Sequence, residues 1–151
     1  MKNKKEYLKN KFIEFQVKIA ELTTTLAQQQ EQAANREKEL FRTLIEIVDA
    51  FDHLDETIAA KEPSFDKTTK SLVKNMRSIQ KKLKRLLSGN NIIKIEFPDN
   101  KASIQNCKIV ETRPGADLEN ETILLVVKPG YINQVSKQVL RKAEVITVLN
   151  D

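Results

Sequence analysis

The chain has 151 residues, of which 31% are charged and 40% hydrophobic, with only three glycines, four prolines and no tryptophan. This composition favours helix over a large folded core, and the scarcity of aromatic residues argues against a deep apolar ligand pocket. The single cysteine, Cys107, cannot form an internal disulfide, so we expect a reducing compartment. No secretory apolar segment follows the basic N-terminus and no apolar run is long enough to span a membrane. We therefore expect a cytoplasmic protein without a membrane partner.

The net charge of +5 is unevenly distributed along the chain. Residues 1–30 carry +3, residues 31–65 carry −5, residues 66–90 carry +7, and residues 91–151 carry no net charge. We expect the basic segment 67–85 to lie against the acidic segment 46–62 in an antiparallel helical hairpin. Nucleic-acid binding through Lys67–Arg85 stays open as an alternative. It is not the expected function, because the interleaved aromatic residues of a single-strand binder are missing.

Residues 1–39 are predicted to form a coiled-coil stalk, because apolar positions recur in steps of three and four. The seam residues are Phe12, Phe15, Ile19, Leu22 and Leu26, and the same register continues through weaker positions to Leu40. An isolated helix cannot bury such a seam. We therefore expect a homodimer, in which a second copy of the chain supplies the partner helix.

Residues 40–89 are predicted to form a helical hairpin. The seam widens into a broad apolar face that includes Leu40, Leu44, Ile47, Phe51 and Leu54. The segment around Pro63 breaks the helix, with Ser64 or Asp66 as the next N-cap. A second helix follows, with Leu72, Met76, Ile79, Leu83 and Leu86 on one face and a stop at Gly89 and the Asn pair after it. Two such hairpins would form a four-helix bundle in the dimer.

Residues 90–151 are predicted to form a small β domain, so that the fold class is α+β. The sequence "IIKIEF" alternates through Ile93, Ile95 and Phe97, and "CKIVET", "TILLVV" and "AEVITVL" are further strand-like runs. Four or so short strands bury little surface by themselves. We expect this domain to be stabilised by attachment to the bundle or by tight packing of its own sheet.

No group of residues predicts catalysis, a cofactor or a metal site. His53 is the only histidine, and an Asp49–His53 pair lacks the additional nitrogen or sulfur ligands that zinc prefers. A surface histidine paired with an aspartate is the expected alternative. Cys107 lies in a strand-like run and is expected to be a buried or neutral thiol. Phosphate-loop, dinucleotide-binding and nucleophile-elbow motifs are missing, so we expect a protein that is not an enzyme.

The C-terminal stretch "VVKPGYINQVSKQVLRKAEVITV", residues 126–148, resembles the signature of the GrpE family. That signature has hydrophobic residues, Gly-Tyr, a turn, a Leu-Arg-x-Ala element and a closing valine-rich strand. The matching residues here are Val126, Val127, Gly130, Tyr131, Val139, Leu140, Arg141, Ala143, Val145 and Val148. The segments "LFRTLIEIVDAFDHLDETIAA" and "LKRLLSGNNIIKI" are similar to the family's bundle helix and to its leucine-rich helix with the first strand. The segment "FPDNKA" at 97–102 departs from the family pattern and indicates a divergent member.

The resemblance implies a co-chaperone that binds the nucleotide-binding domain of a DnaK-type chaperone and promotes ADP release. It also implies that Val127, Tyr131, Gln138 and Arg141 lie on the partner-binding surface or support it. Core packing is the alternative for Val127 and Tyr131, and a pair with Glu144 is the alternative for Arg141. At the level of function, the alternative is a dimeric coiled-coil adaptor whose β domain binds a different protein.

Overall fold

The computed structural model describes residues 2–150 and contains two α-helices followed by six short strands. Helix α1 is Lys2–Ala59, a 3-10 turn covers Glu62–Ser64, and helix α2 is Lys67–Gly89. The strands are β1 (Ile92–Lys94), β2 (Cys107–Arg113), β3 (Ile123–Lys128), β4 (Tyr131–Asn133), β5 (Val139–Arg141) and β6 (Ala143–Val148). The predicted α+β fold, a long N-terminal helix with a small C-terminal β domain, is confirmed. No helix among residues 2–150 is both long and apolar enough to cross a bilayer.

The chain divides into two compact units, one ending at Leu40 and the other beginning at Phe41. Residues 2–40 all belong to α1, and none of them is buried. The predicted stalk residues are exposed in the single chain, with 56–66% of each residue accessible to solvent: Phe12, Phe15, Ile19, Leu22 and Leu26. The boundaries predicted at residues 39/40 and 89/90 stay predictions.

Within the second unit, α1 and α2 form the antiparallel hairpin that the charge distribution predicted. Asp66 is the N-cap of α2, and its carboxylate accepts a hydrogen bond from the Thr69 backbone N–H at 2.8 Å. Arg77 of α2 bonds Asp55 of α1 at 2.7 Å and Glu62 of the turn through both of its terminal nitrogens. These ion pairs join the basic and acidic segments, and the predicted hairpin is confirmed.

Nearer to the strands, Asp52 of α1 contacts two residues of α2. The Lys84 ammonium lies 2.6 Å from Asp52, and the Gln80 side-chain amide donates a hydrogen bond to the same carboxylate at 2.6 Å. Gln80 is buried, and this bond satisfies an amide that would otherwise destabilise the interface. The apolar face predicted for α2 packs within the chain only in part: Leu83 contacts the first core and Met76 is half-buried. Val73, Gln80 and Leu87 are the buried positions, whereas Leu72, Ile79 and Leu86 are 46–64% exposed.

The strands form two three-stranded sheets. The first has the order β1-β4-β5 with antiparallel pairs, and the second has the order β2-β6-β3, in which β2 is parallel and β3 antiparallel to β6. The strand predicted over 92–97 ends at Lys94. Of the predicted alternating residues, Ile93 is 37% exposed and Ile92 is buried in its place at 2% exposure, whereas Phe97 packs against the second core. Strands β4 and β5 were not predicted as separate elements.

Each sheet contributes to a core of its own. The first core joins the hairpin to the first sheet and contains Phe41, Ile45, Val48, Leu87, Ile92, Tyr131 and Leu140, with Leu44 and Leu83 packed against it. The second core lies on the second sheet and contains Cys107, Ala143 and Val145, with Phe97, Ala102 and Ile123 packed against it. The first sheet is thus the part of the β domain that is fixed to the helices. Cys107 is buried, as predicted.

Candidate partner-binding site

The Pro129–Gly130 turn connects the second sheet to the first, because β3 ends at Lys128 and β4 begins at Tyr131. Gly130 is buried here and allows two backbone segments to approach closely. A Cβ atom at this position would lie 2.5 Å from the Ala143 nitrogen, 2.8 Å from Ile95 Cδ1 and 3.0 Å from the Arg141 carbonyl oxygen. The Gly130 carbonyl also accepts a hydrogen bond from the Ile95 N–H at 2.9 Å. Steric room therefore explains why a glycine stands at this turn.

Tyr131 and Arg141 are brought together across the β4–β5 pair, where they are direct register partners. Tyr131 is only 3% exposed and belongs to the first core. The Arg141 guanidinium carbon lies 5.4 Å from the centre of the Tyr131 ring, a cation–π distance. Burial raises the pKa of Tyr131 to about 12, with smaller contributions from the negative charges of Asp49 and Asp52 and opposition from Arg141. Tyr131 is therefore enclosed in the first core, which agrees with the core-packing alternative.

Arg141 is tied to α1 rather than to its sequence neighbour Glu144. Its two terminal nitrogens donate to the two carboxylate oxygens of Asp49, one of these bonds measuring 3.0 Å. Its Nε and one terminal nitrogen also donate to the Pro129 carbonyl at 3.1 and 2.7 Å. A bidentate pair of this kind is stronger and geometrically more specific than a single charged hydrogen bond. The Asp49 carboxylate lies 4.0 Å from the Lys128 ammonium as well.

Val127 lies on β3, an edge strand of the second sheet, and is 52% exposed. It belongs to a run of four consecutive apolar residues, Leu124, Leu125, Val126 and Val127, each 41–54% exposed. Ile109 and Val110, on the opposite edge strand β2, are exposed to a similar degree. We call the run 124–127 the β3 apolar strip. An exposed apolar strip on an edge strand is typical of a surface that binds another protein.

Gln138 is exposed in the turn between β4 and β5, in the first sheet rather than the second. The turn is well defined, since the Asn133 side chain accepts hydrogen bonds from the N–H groups of Val135 and Ser136 at 2.9 and 3.0 Å. Lys137 has a φ of 58°, and the Gln138 carbonyl accepts from the Asn133 N–H at 2.9 Å. Gln138 is thus held at a fixed place, on a different sheet from Val127.

The dimerisation residues predicted on the second part of the seam divide into two groups. Leu40, Ile47 and Leu54 are exposed in the single chain, whereas Leu44 and Phe51 are half-buried. Leu44 packs against the first core of its own chain. His53 lies 3.9 Å from Glu56 rather than beside Asp49, whose carboxylate is held by Arg141. Across residues 2–150, no three metal-ligating side chains cluster.

The residues that sequence reasoning missed are Asp49 as the partner of Arg141 and the remainder of the β3 apolar strip. The two members of the ion pair are 92 positions apart, so no local spacing could connect them. The strip could have been found, because the run "ILLVV" at 123–127 has no polar residue to mark a solvent-facing side of the strand.

Comparison with known families gives one decisive result: the model of the GrpE family matches residues 1–148. The chain belongs to the GrpE family. Members of this family are nucleotide exchange factors of DnaK-type chaperones, and they are co-chaperones rather than enzymes. No curated protein matched the chain. The match covers both helices and all six strands, so the GrpE assignment applies to the stalk as well as to the β domain.

Proposed function

We propose that this GrpE-family protein is a cytoplasmic homodimer that binds the nucleotide-binding domain of a DnaK-type chaperone and accelerates the release of ADP. The observation that carries the proposal is the family match over residues 1–148. Two features of the structure support it. One is a pair of exposed apolar faces on the helices, and the other is the β3 apolar strip on the β domain.

The helices are proposed to hold the dimer together. The exposed seam of α1, from Phe12 to Leu26, has the heptad spacing of a two-stranded coiled coil. The exposed positions Leu72, Ile79 and Leu86 of α2 are seven residues apart and continue this pattern in the hairpin. Burying one leucine-sized side chain contributes about 1.5–3 kcal/mol, so a stripe of this length can stabilise a dimer. Two hairpins packed through these faces would give the four-helix bundle.

The β domain is proposed to contact the chaperone. Val127 within the β3 apolar strip and the fixed, exposed Gln138 are the residues that can touch a partner directly. Tyr131 and Arg141, which are largely enclosed, would act by holding that surface in place. The residues named by the family resemblance thus fall into a contacting group and a supporting group.

The proposed mechanism is differential affinity. A partner shifts a conformational equilibrium only by the difference between its affinities for the two states. If the β domain binds the open form of the nucleotide cleft more tightly, binding favours opening and ADP leaves. Binding is reciprocal: if this protein lowers the affinity of the chaperone for ADP by some factor, ADP must lower the affinity of the chaperone for this protein by the same factor. No reacting group is needed on the exchange factor.

Co-purification that depends on nucleotide tests the proposal. The tagged chain should retain a DnaK-type chaperone from a lysate of the same organism when nucleotide is removed, and ADP or ATP should release it. Val127→Asp should weaken this retention by about tenfold, since a charge would replace an apolar contact. Ile104→Asp is the matched control, because Ile104 is an exposed apolar residue outside the strands of the same domain. Recovery of a different protein, insensitive to nucleotide, would favour the adaptor function instead.

A further inference from the structure

Two of the chain connections between the sheets meet at one side chain of α1. The β3–β4 connection passes through Pro129 and Gly130, and the β5–β6 connection passes through Lys142. Arg141 is the last residue of β5 and donates two hydrogen bonds to the Pro129 carbonyl, so its guanidinium joins both connections. Asp49 receives that guanidinium through both carboxylate oxygens.

The same carboxylate is also close to the end of β3. The Lys128 ammonium lies 4.0 Å from it, so Asp49 faces cations from the last residue of β3 and from the last residue of β5. The Asp49 and Arg141 side chains are 22% and 17% exposed, which limits competition by water. Other contacts of α1 with the β domain reach the first sheet: the first core, the Arg42–Leu140 carbonyl hydrogen bond at 3.0 Å and the Asp52–Lys94 ion pair at 3.7 Å.

We infer that Asp49 is a positioning residue for nucleotide exchange: it fixes the second sheet, and with it the β3 apolar strip, relative to the helices. This inference rests on the proposed function, in which that strip contacts the chaperone. A β domain held in one orientation is complementary to the nucleotide cleft in one conformation, the open one. A domain that rocks about the junction between its sheets fits both the open and the closed cleft, and it therefore discriminates less between them.

The inference predicts a change in the ratio between two affinities of this protein, one for the nucleotide-free chaperone and one for the ADP-bound chaperone. Asp49→Asn keeps the shape of the side chain but removes the charge that holds Arg141 and attracts Lys128. The variant should still bind the nucleotide-free chaperone. Its preference for the nucleotide-free over the ADP-bound chaperone should fall by about fivefold or more, and the maximal rate of ADP release should fall as well. A lower fraction of folded protein would reduce apparent binding to both forms equally and would leave the ratio unchanged.

The experiment measures binding of the full-length protein to its DnaK-type chaperone with and without ADP, together with the release of fluorescent ADP at saturating exchange factor. Asp55→Asn is the control, since it removes the same charge from the same helix but breaks only the Arg77 pair within the hairpin. Asp49→Glu, which restores the charge, should recover most of the ratio. If Asp49→Asn does not fold, Arg141→Lys decides, because a lysine cannot reproduce the guanidinium fork and should lower the ratio in the same way.

A ratio unchanged in Asp49→Asn, or one lowered equally by Asp55→Asn, would overturn the inference while leaving the proposed function in place. A wild-type protein that neither prefers the nucleotide-free chaperone nor accelerates ADP release would instead overturn the proposed function itself.

Discussion

Replacing Gly130 by alanine tests the packing at the junction of the two sheets. The new Cβ would lie 2.5 Å from the Ala143 nitrogen and 3.0 Å from the Arg141 oxygen, both of which are backbone atoms. The third close atom, Ile95 Cδ1 at 2.8 Å, is the end of a flexible side chain and can move. Because the two backbone segments belong to paired strands, relief requires the sheets to shift.

The size of the effect follows from these contacts. Overpacking a well-packed site lowers the free energy of unfolding by about 1–3 kcal/mol, and contacts with backbone place this site at the upper end, about 3 kcal/mol. For a chain of this length, each kcal/mol lowers the melting temperature by about 2–4 °C. We therefore expect Gly130→Ala to melt about 6–12 °C below the wild type.

The matched control is Gly89→Ala. Gly89 is the last residue of α2, and a Cβ there would meet nothing within 4 Å. Alanine is favoured over glycine in a helix by up to about 1 kcal/mol, so this variant should melt at or above the wild-type temperature. Both variants are followed by circular dichroism at one fixed protein concentration, because dimerisation makes melting concentration-dependent. Equal melting of Gly130→Ala and wild type would refute the close approach of the strands.

Three further predictions follow from other parts of the chain. Leu22→Asp should raise the dimer dissociation constant by about tenfold or more in sedimentation, whereas Gln28→Asp, off the seam, should not; a dimer unaffected by both would exclude the proposed coiled coil. Because the pKa of Tyr131 is raised to about 12 in the folded chain, its stabilising contribution is complete below the unfolded value of about 10 and is lost as pH rises through about 12. An ultraviolet pH titration of the wild type should therefore show one tyrosine that ionises at high pH, and this step should be absent in Tyr131→Phe. Identical titration curves for the wild type and Tyr131→Phe would contradict the burial of Tyr131. Asn150→Ala should lower the free energy of unfolding, measured by urea denaturation, by about 1 kcal/mol, because the Asn150 side chain forms hydrogen bonds with the backbone of Gly115 and Leu118. An unchanged free energy of unfolding would show that these hydrogen bonds do not stabilise the fold.

The sequence was most informative about the helices, where a pattern repeats over many turns. Apolar spacing and the opposite charges of segments 46–62 and 67–85 predicted both helices and their antiparallel packing, which the Arg77–Asp55 pair confirms. It was less informative about which face of α2 packs within the chain. Two apolar stripes lie side by side on that helix, and a buried Gln80 on one of them is acceptable only because Asp52 of α1 accepts its hydrogen bond.

The β domain was harder to predict because its strands are short and their pairing is not local. Strands β4 and β5 have three residues each, too few to show an alternating pattern. Strand β2 pairs in parallel with β6, and Cys107 is opposite Ala143, far along the chain. The family resemblance located Tyr131 and Arg141 but could not identify their surroundings. Only the folded chain shows that Arg141 is bonded to Asp49, a residue 92 positions away.

The most direct test of the account is the release of fluorescent ADP from the DnaK-type chaperone of the same organism. Addition of the wild-type chain should accelerate release in a saturable manner, with half-saturation near the dissociation constant measured for the ADP-bound chaperone. A release rate that stays at its spontaneous value at saturating concentrations of folded, dimeric protein would contradict the proposed exchange function.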